Sequence, residues 1–320
     1  MTPDKGTLGG PGARVVVWIP YVWLVVFFLV PFLIVLKISL SQTAIALPPY
    51  VPVLDYDKGW SGVRDFVAGL GLDNYATLLS DEIYGLSYLK SLKVAAVSTA
   101  ILLLIGYPLA YGMARAPRRA QSMLVMLVIL PFWTSFLIRV YAWINILQTD
   151  GLLNRALAEL HIIELINRVL PALHIDVIET PVVWLASDTA IYIGLVYSYL
   201  PFMVLPLYAT LEKMDFTLLE AAADLGARPA VAFWRVTVPL SLPGVAAGAL
   251  LCFIPITGEF VIPDLLGGSD SLMIGQTLWT EFFSNKDWPV ASAIAVALLV
   301  LLVGPILVYQ HLQMKNVEAG

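Results

Sequence analysis

Residues Glu220–Gly244 read EAAADLGARPAVAFWRVTVPLSLPG, a small-residue helix, a glycine stop and a second short helix set between two apolar spans. Asp215 or Thr217 can cap the start of the first helix, and Thr217-Leu-Leu-Glu220 has the spacing of a capping box. Gly226 suits the left-handed residue that ends a helix, and Pro229 suits the first turn of the next. The run Ala221-Ala222-Ala223 leaves a smooth face that another surface can approach closely. Taken alone, an ordinary solvated helix hairpin fits equally well. The rest of the chain decides between the two.

Of the 320 residues 59% are hydrophobic and 13% charged, and the mean hydropathy is +0.84. A soluble domain carries about 25% charged residues, so the composition is that of an all-α polytopic membrane protein. The net charge of −5 comes without the basic stripe of a nucleic-acid binder. Cys252 is the only cysteine, and His161, His174 and His311 are too scattered to form a metal site by spacing.

Six apolar runs approach the roughly 20 residues a bilayer requires: 15–36, 94–114, 120–138, 189–211, 244–263 and 288–310. The first is too long for the apolar part of a cleavable signal and lacks a small-residue cleavage site, so it is expected to remain as an anchor. The turn 115–119 packs Arg115, Arg118 and Arg119 together, and the loop 212–243 carries Lys213, Arg228 and Arg235. The positive-inside rule puts both loops in the cytoplasm with the termini, 1–14 and 311–320. The segments 37–93, 139–188 and 264–287 then lie outside. They carry as many positive charges in about twice the length, and they are acidic, with Asp188, Asp264, Glu281 and Asp287 among their carboxylates. Within 165–188, charges and prolines exclude another span, and short helices at the outer surface are expected.

Each span carries a proline, and a proline in a membrane helix frees a carbonyl that neighbours must satisfy. Pro239 and Pro243 delay the fifth helix to about Gly244, and 14 residues are too few to cross. That helix is therefore expected to continue through Glu259 to Pro263, carrying a carboxylate into the outer half of the membrane. Such a group faces a pathway or a partner. One reading pairs Glu259 with a buried arginine or protonates it; the other makes it the counter-charge of a cationic substrate, with Asp264 and Glu281 extending the acidic track. Aromatic rings crowd the same half, among them Trp133, Tyr141, Tyr197 and Trp279. They suit either an interfacial belt or an organic ammonium held by cation–π attraction.

No nucleotide-cradling G-x-x-x-x-G-K-[ST] loop is present, so an ATP-driven function would place the nucleotide on another polypeptide. The rivals are a permease for another solute, such as an oligosaccharide or an oxyanion, the latter suited poorly by Glu259 and the acidic outer face, then a carrier driven by an ion gradient, and a membrane scaffold.

Glu220-Ala221-Ala222, three residues, Gly226, nine residues, then Val236-x-Val238-Pro239 resembles the EAA loop of type I permeases of binding-protein-dependent ABC importers, with valines where that family favours Ile and Leu. The stretches 73–80, 130–143, 195–206 and 258–268 resemble the same family, the last three its polyamine branch and there the larger permease subunit of putrescine/spermidine importers. The resemblance covers nearly the whole chain. It implies six transmembrane helices, a core permease domain over 94–310 and a bacterial inner-membrane location. It also implies no cofactor on this chain, ATP and Mg on a pair of partner ATPases, a second and different permease subunit, and a periplasmic polyamine-binding protein. Glu220, Ala221, Ala222, Gly226, Val236 and Pro239 would then meet the ATPase.

Overall fold

The computed structural model describes residues 11–53, 55, 57, 59–169, 181–215 and 217–318. They divide into two compact units, one holding the chain up to 82 together with 278–301, the other holding 83–277 and the chain from 302 onward.

In the first unit α1 (Pro11–Leu24) runs through a five-residue π turn, Val25–Leu29, into α2 (Val30–Ser39). The 22 residues Trp18–Ser39 are long and apolar enough to cross a membrane. The π turn precedes Pro31, and the Val30 N–H bonds the carbonyl of Val25, five residues back. The carbonyl that Pro31 would orphan in an α-helix, that of Phe27, lies inside this wider turn, so the helix axis continues. A hairpin follows, with β1 (Gln42–Thr43) antiparallel to β2 (Tyr50–Val51), then α3 (Gly59–Ala68) and α4 (Asp73–Ser80). The buried Asn74 amide donates to the carbonyls of Ser39 (2.8 Å) and Ser41 (2.7 Å), fixing α4 to the end of α2.

The second unit begins on α5 (Glu82–Arg115), which passes Pro108 without a break. Then come α6 (Arg118–Ile129), a 3₁₀ turn Leu130–Trp133, α7 (Phe136–Leu147), α8 (Leu152–Glu159), α9 (Ile162–Val169), α10 (Asp188–Glu212), α11 (Thr217–Asp224) and α12 (Pro229–Ala232). A π turn Phe233–Thr237 joins α12 to α13 (Val238–Thr257), followed by α14 (Val261–Leu266) and α15 (Ile274–Trp279), whose last two residues belong to the first unit; α16 (Trp288–Glu318) begins in the first unit and ends in the second.

The core sits between α10 and α13, where Leu195, Met203, Leu207, Cys252 and Ile256 are fully buried, with Leu102 and Ala110 of α5 beside them. Close approach is sequence-encoded. A Cβ on Gly248 would stand 2.9 Å from Met203 Sδ, and one on Gly244 would stand 2.5 Å from Thr210 Oγ1. At one end, Lys90 of α5 pairs with Asp188 of α10 at 2.5 Å.

Trp18–Ser39, Glu82–Arg115, Asp188–Glu212 and Pro229–Thr257 are each long and apolar enough to cross a membrane, and α6 with α7 passes the same test as a bent pair. An apolar helix begins at Trp288, where the sixth run is expected. Three expectations need correction. The run 120–138 is not one straight helix. Its two limbs meet at 87°, because Pro131 supplies no N–H and Thr134 and Ser135 are extended, the Thr134 hydroxyl bonding the Pro131 carbonyl at 2.9 Å. Residues 139–147, expected in an outer segment, belong to α7 and bury Val140 and Leu147 in the core.

The fifth helix neither starts at Gly244 nor reaches Pro263. It runs Pro229–Thr257 because the second π turn precedes Pro239 as the first precedes Pro31, with the Val238 N–H bonding the carbonyl of Phe233. Of the short helices expected in 165–188, α9 is seen as far as Val169. Residues 170–180 lie outside the described residues, as do 1–10 and 319–320.

Candidate functional site

The loop around Glu220 is built by local chemistry. Asp215 Oδ1 accepts the N–H of Thr217 at 3.0 Å, so the aspartate rather than the threonine caps the start of α11. That bond, with a second to the Thr217 hydroxyl, holds the Asp215 carboxyl below the usual range. At the other end Gly226 takes φ +79°. The N–H of Ala227 bonds the carbonyl of Ala222 (3.0 Å) and that of Gly226 bonds Ala223 (2.8 Å), the crossed pair of a Schellman stop.

Glu220 and Ala221 are exposed, Ala222 half-buried. Leu218 and Val231 are exposed around them, and Leu225 (89%) and Trp234 (68%) nearly bare. These apolar side chains are left uncovered in this chain. Val236 lies half-buried in the π turn and Pro239 exposed at the start of α13. Phe233 locks the turn against α5, meeting Tyr107 and Tyr111 edge-on at 5.8 and 5.5 Å, and Ser241 bonds the Tyr107 hydroxyl at 2.8 Å. The two positively charged loops share one face of this unit. Arg118 and Gln121 of the first and Asp215 and Glu220 of the second line a common groove of about 760 Å³.

Glu259 stands in a break between α13 and α14, not within a continuous helix. Its Oε2 accepts the Tyr199 hydroxyl at 2.6 Å and its Oε1 the N–H of Val261 at 3.1 Å. Gly275 backs the break. A Cβ there would lie 2.6 Å from the carbonyl oxygens of both Gly258 and Glu259. Among the described residues no lysine or arginine pairs with the half-buried carboxylate, so the arginine-pairing reading finds no support.

An aromatic track leads away from it. Tyr199 meets Phe202 (5.9 Å between centroids), Phe202 meets Phe132 (5.2 Å), and the guanidinium of Arg139 lies 5.2 Å from Phe132 and 5.8 Å from Phe136. Two buried nitrogens of Arg139, Nε and Nη1, find no acceptor among the described residues. Tyr197 packs edge-on against Trp143 at 5.3 Å. Trp133, Tyr141 and Asp264 are exposed, and no hydrogen bond or ring contact among the described residues joins them to Glu259.

Trp279 and Glu281 belong to the other compact unit, where Trp279 meets Phe283 at 4.0 Å and Glu281 accepts from Asn285 at 2.9 Å. Phe132, Phe202 and Arg139 were missed as site residues. A lone arginine in an apolar run was the available signal.

Residues 104–313 match the family described as binding-protein-dependent transport system inner membrane component. The chain is 37% identical over 296 residues to the spermidine/putrescine transport system permease protein PotB of Haemophilus influenzae, covering 92% of each. It is 40% identical over 250 residues to the protein of that name from Escherichia coli, covering 77% of this chain and 85% of the other. Among solved structures, a bacterial ABC transporter that imports the acidic polysaccharide alginate superposes with a TM-score of 0.64 at 15% identity, covering 94% of both chains, which is a likeness of fold. The matched family, the relatives and the shared helical architecture agree: this chain belongs to the inner-membrane permease components of binding-protein-dependent ABC importers.

Proposed function

We propose that the chain is the permease subunit of a polyamine importer for putrescine or spermidine. The observation that carries this is the 37% identity, over 92% of both chains, to a permease so named. The site chemistry supports it. A carboxylate set in a helix break beside aromatic rings suits an organic ammonium, which gains both ion pairing and cation–π attraction. In this reading Glu259 is the counter-charge, Tyr199 orients it, and Tyr197, Tyr141, Trp133 and Asp264 of the same unit line the route.

The energy comes from elsewhere. Glu220, Ala221, Ala222, Gly226, Val236 and Pro239 dock a pair of ATPases, which hold ATP and Mg. A second, different permease completes the pathway, and a periplasmic polyamine-binding protein delivers the substrate. Both termini are cytoplasmic. The test is ATP hydrolysis by the co-purified assembly in lipid nanodiscs. Stimulation by binding protein loaded with putrescine or spermidine is expected, and indifference to both would overturn the reading.

Arg139 favours a second reading, an anionic solute, because its unpartnered N–H groups suit an anion's oxygens. Stimulation by an oxyanion or an acidic sugar in the same assay would select it. For the coupling loop, Gly226→Asp is expected to leave membrane insertion and assembly intact while abolishing stimulated hydrolysis. Aspartate tolerates the left-handed region better than most residues, and no atom stands within 4 Å of a Cβ there. Unchanged hydrolysis and uptake would remove Gly226 from the contact.

A further inference from the structure

The proposed transport leaves the hairpin of the first unit, β1 with β2, unassigned. Its base is tied to two membrane-helix ends. Ser39 closes α2, and β1 starts three residues later. From the other side, Thr43 Oγ1 donates to Asp287 Oδ1 (2.7 Å), and Tyr50 packs against Trp288, the first residue of α16 (6.4 Å). The base therefore lies where the first and last membrane helices meet the bilayer surface.

Its tip is apolar and bare. Ile45 and Leu47 are 110% and 99% exposed, and no charged residue occurs from 38 through 54. A groove of about 640 Å³ continues from the tip, lined by Ala44, Ile45, Leu47, Phe282, Phe283 and Trp288, with Lys286 at its edge. Thr43 pairs with Tyr50, the Ala44 N–H bonds the Pro49 carbonyl, and the chain bends from Ile45 to Pro49. The two steps from Thr43 to Ile45 span about 7 Å, against a headgroup layer roughly 6 Å deep on each side of a bilayer. The tip is long enough to reach acyl chains from a base at the surface.

We infer that the hairpin tip is a lipid anchor: Ile45 and Leu47 insert into the leaflet at which α2 ends and α16 begins, and Lys286 meets headgroup phosphate there. Apolar side chains beside a cation are the pattern of segments that lie in the membrane interface, and the lysine stem can run along the apolar groove while its ammonium reaches phosphate. The inference rests on the family's membrane location and not on the identity of the solute. Its failure would leave the polyamine reading untouched.

The test uses the full assembly in nanodiscs of phosphatidylethanolamine and phosphatidylglycerol, with a fluorescent label on Leu47→Cys. Cys252 is fully buried and stays unlabelled. A label on Leu79→Cys, a bare leucine of α4 (90% exposed), is the control. Doxyl-labelled lipid is expected to quench position 47 severalfold more than aqueous iodide does, with the order reversed at position 79. Iodide quenching at 47 equal to that at 79 would place the tip in water and overturn the inference. So would a label at 47 that neither agent reaches, or one shielded from iodide only after binding protein is added, since a protein would then cover the tip.

Discussion

The helix Pro229–Thr257 is bounded by two interruptions that are closed in different ways. At 224–229 the chain stops by backbone means alone. Gly226 turns left-handed, the crossed N–H bonds of Gly226 and Ala227 satisfy the last carbonyls, and the apolar side chains around the turn point outward. At 258–260 the stop is made by a side chain. Glu259 takes the N–H of Val261 and the hydroxyl of Tyr199, half-buried, with Gly275 pressed against its backbone. The first closure leaves a surface with unmet apolar area. The second leaves a charge whose oxygens are held in place. A helix with exposed apolar side chains beyond one end and a positioned carboxylate beyond the other can relay movement between them only while it is rigid.

That rigidity is where the largest effect is expected. Gly248→Leu would drive a side chain into Met203 of α10, and overpacking of this kind costs about 1–3 kcal/mol and sometimes more. A lower melting temperature of the assembly and loss of uptake would be seen together. Gly226→Ala sharpens the contrast. With open space around it, it is charged only the left-handed backbone strain of about 1–2 kcal/mol, so the melting temperature should fall less. If the two variants melted alike, the helix would not be acting as a packed rod.

At the other closure, Glu259→Gln is expected to cut polyamine uptake while the ATPases still bind. Uptake equal to wild type would reduce Glu259 to a structural group. Tyr199→Phe removes only the hydroxyl, and a hydrogen bond to a charged group contributes about 1.5–3 kcal/mol. Uptake is expected to fall while assembly and ATPase binding hold, because the carboxylate loses the bond that fixes its Oε2. Unchanged uptake would detach the tyrosine from the site.

The turn at 224–229 was readable residue by residue because each signal there is local. Gly226 needs no neighbour to favour a left-handed stop, and Pro229 none to open a helix. The fifth helix was misread because the proline rule assumes α-helical bonding throughout. A π turn at 233–237 removes the conflict with Pro239, as one at 25–29 does with Pro31, and a rule built on α-helical bonding foresees neither. Glu259 was found by elimination in the right neighbourhood and the wrong conformation, since the bond that fixes it comes from Tyr199, sixty residues away. The bend at 134–135 hides inside an unbroken apolar run, and apolarity does not distinguish a straight span from a bent one. Arg139 went unnoticed for a related reason: its surroundings are rings contributed by the bend itself.

The smallest expected effect separates the two closures by pH. Asp215 opens α11, and the bonds from Thr217 depress its folded pKa. A carboxylate with a depressed pKa contributes stability that is present above its unfolded value, about 3.9, and is lost as pH falls through the folded one. At neutral pH the cap is fully engaged. Hydrogen exchange at the amides of 217–220, corrected for intrinsic rate, should therefore quicken as pH drops below about 3.9. In Asp215→Ala the same amides should exchange fast at every pH, so that wild type at low pH comes to match the variant. The Gly226 stop is closed by bonds between backbone groups alone, so amides at 226 and 227 should stay protected throughout. If both ends of α11 loosened together on acidification, the helix would be melting as a unit rather than losing one cap, and the carboxylate at 215 would not be what holds its start.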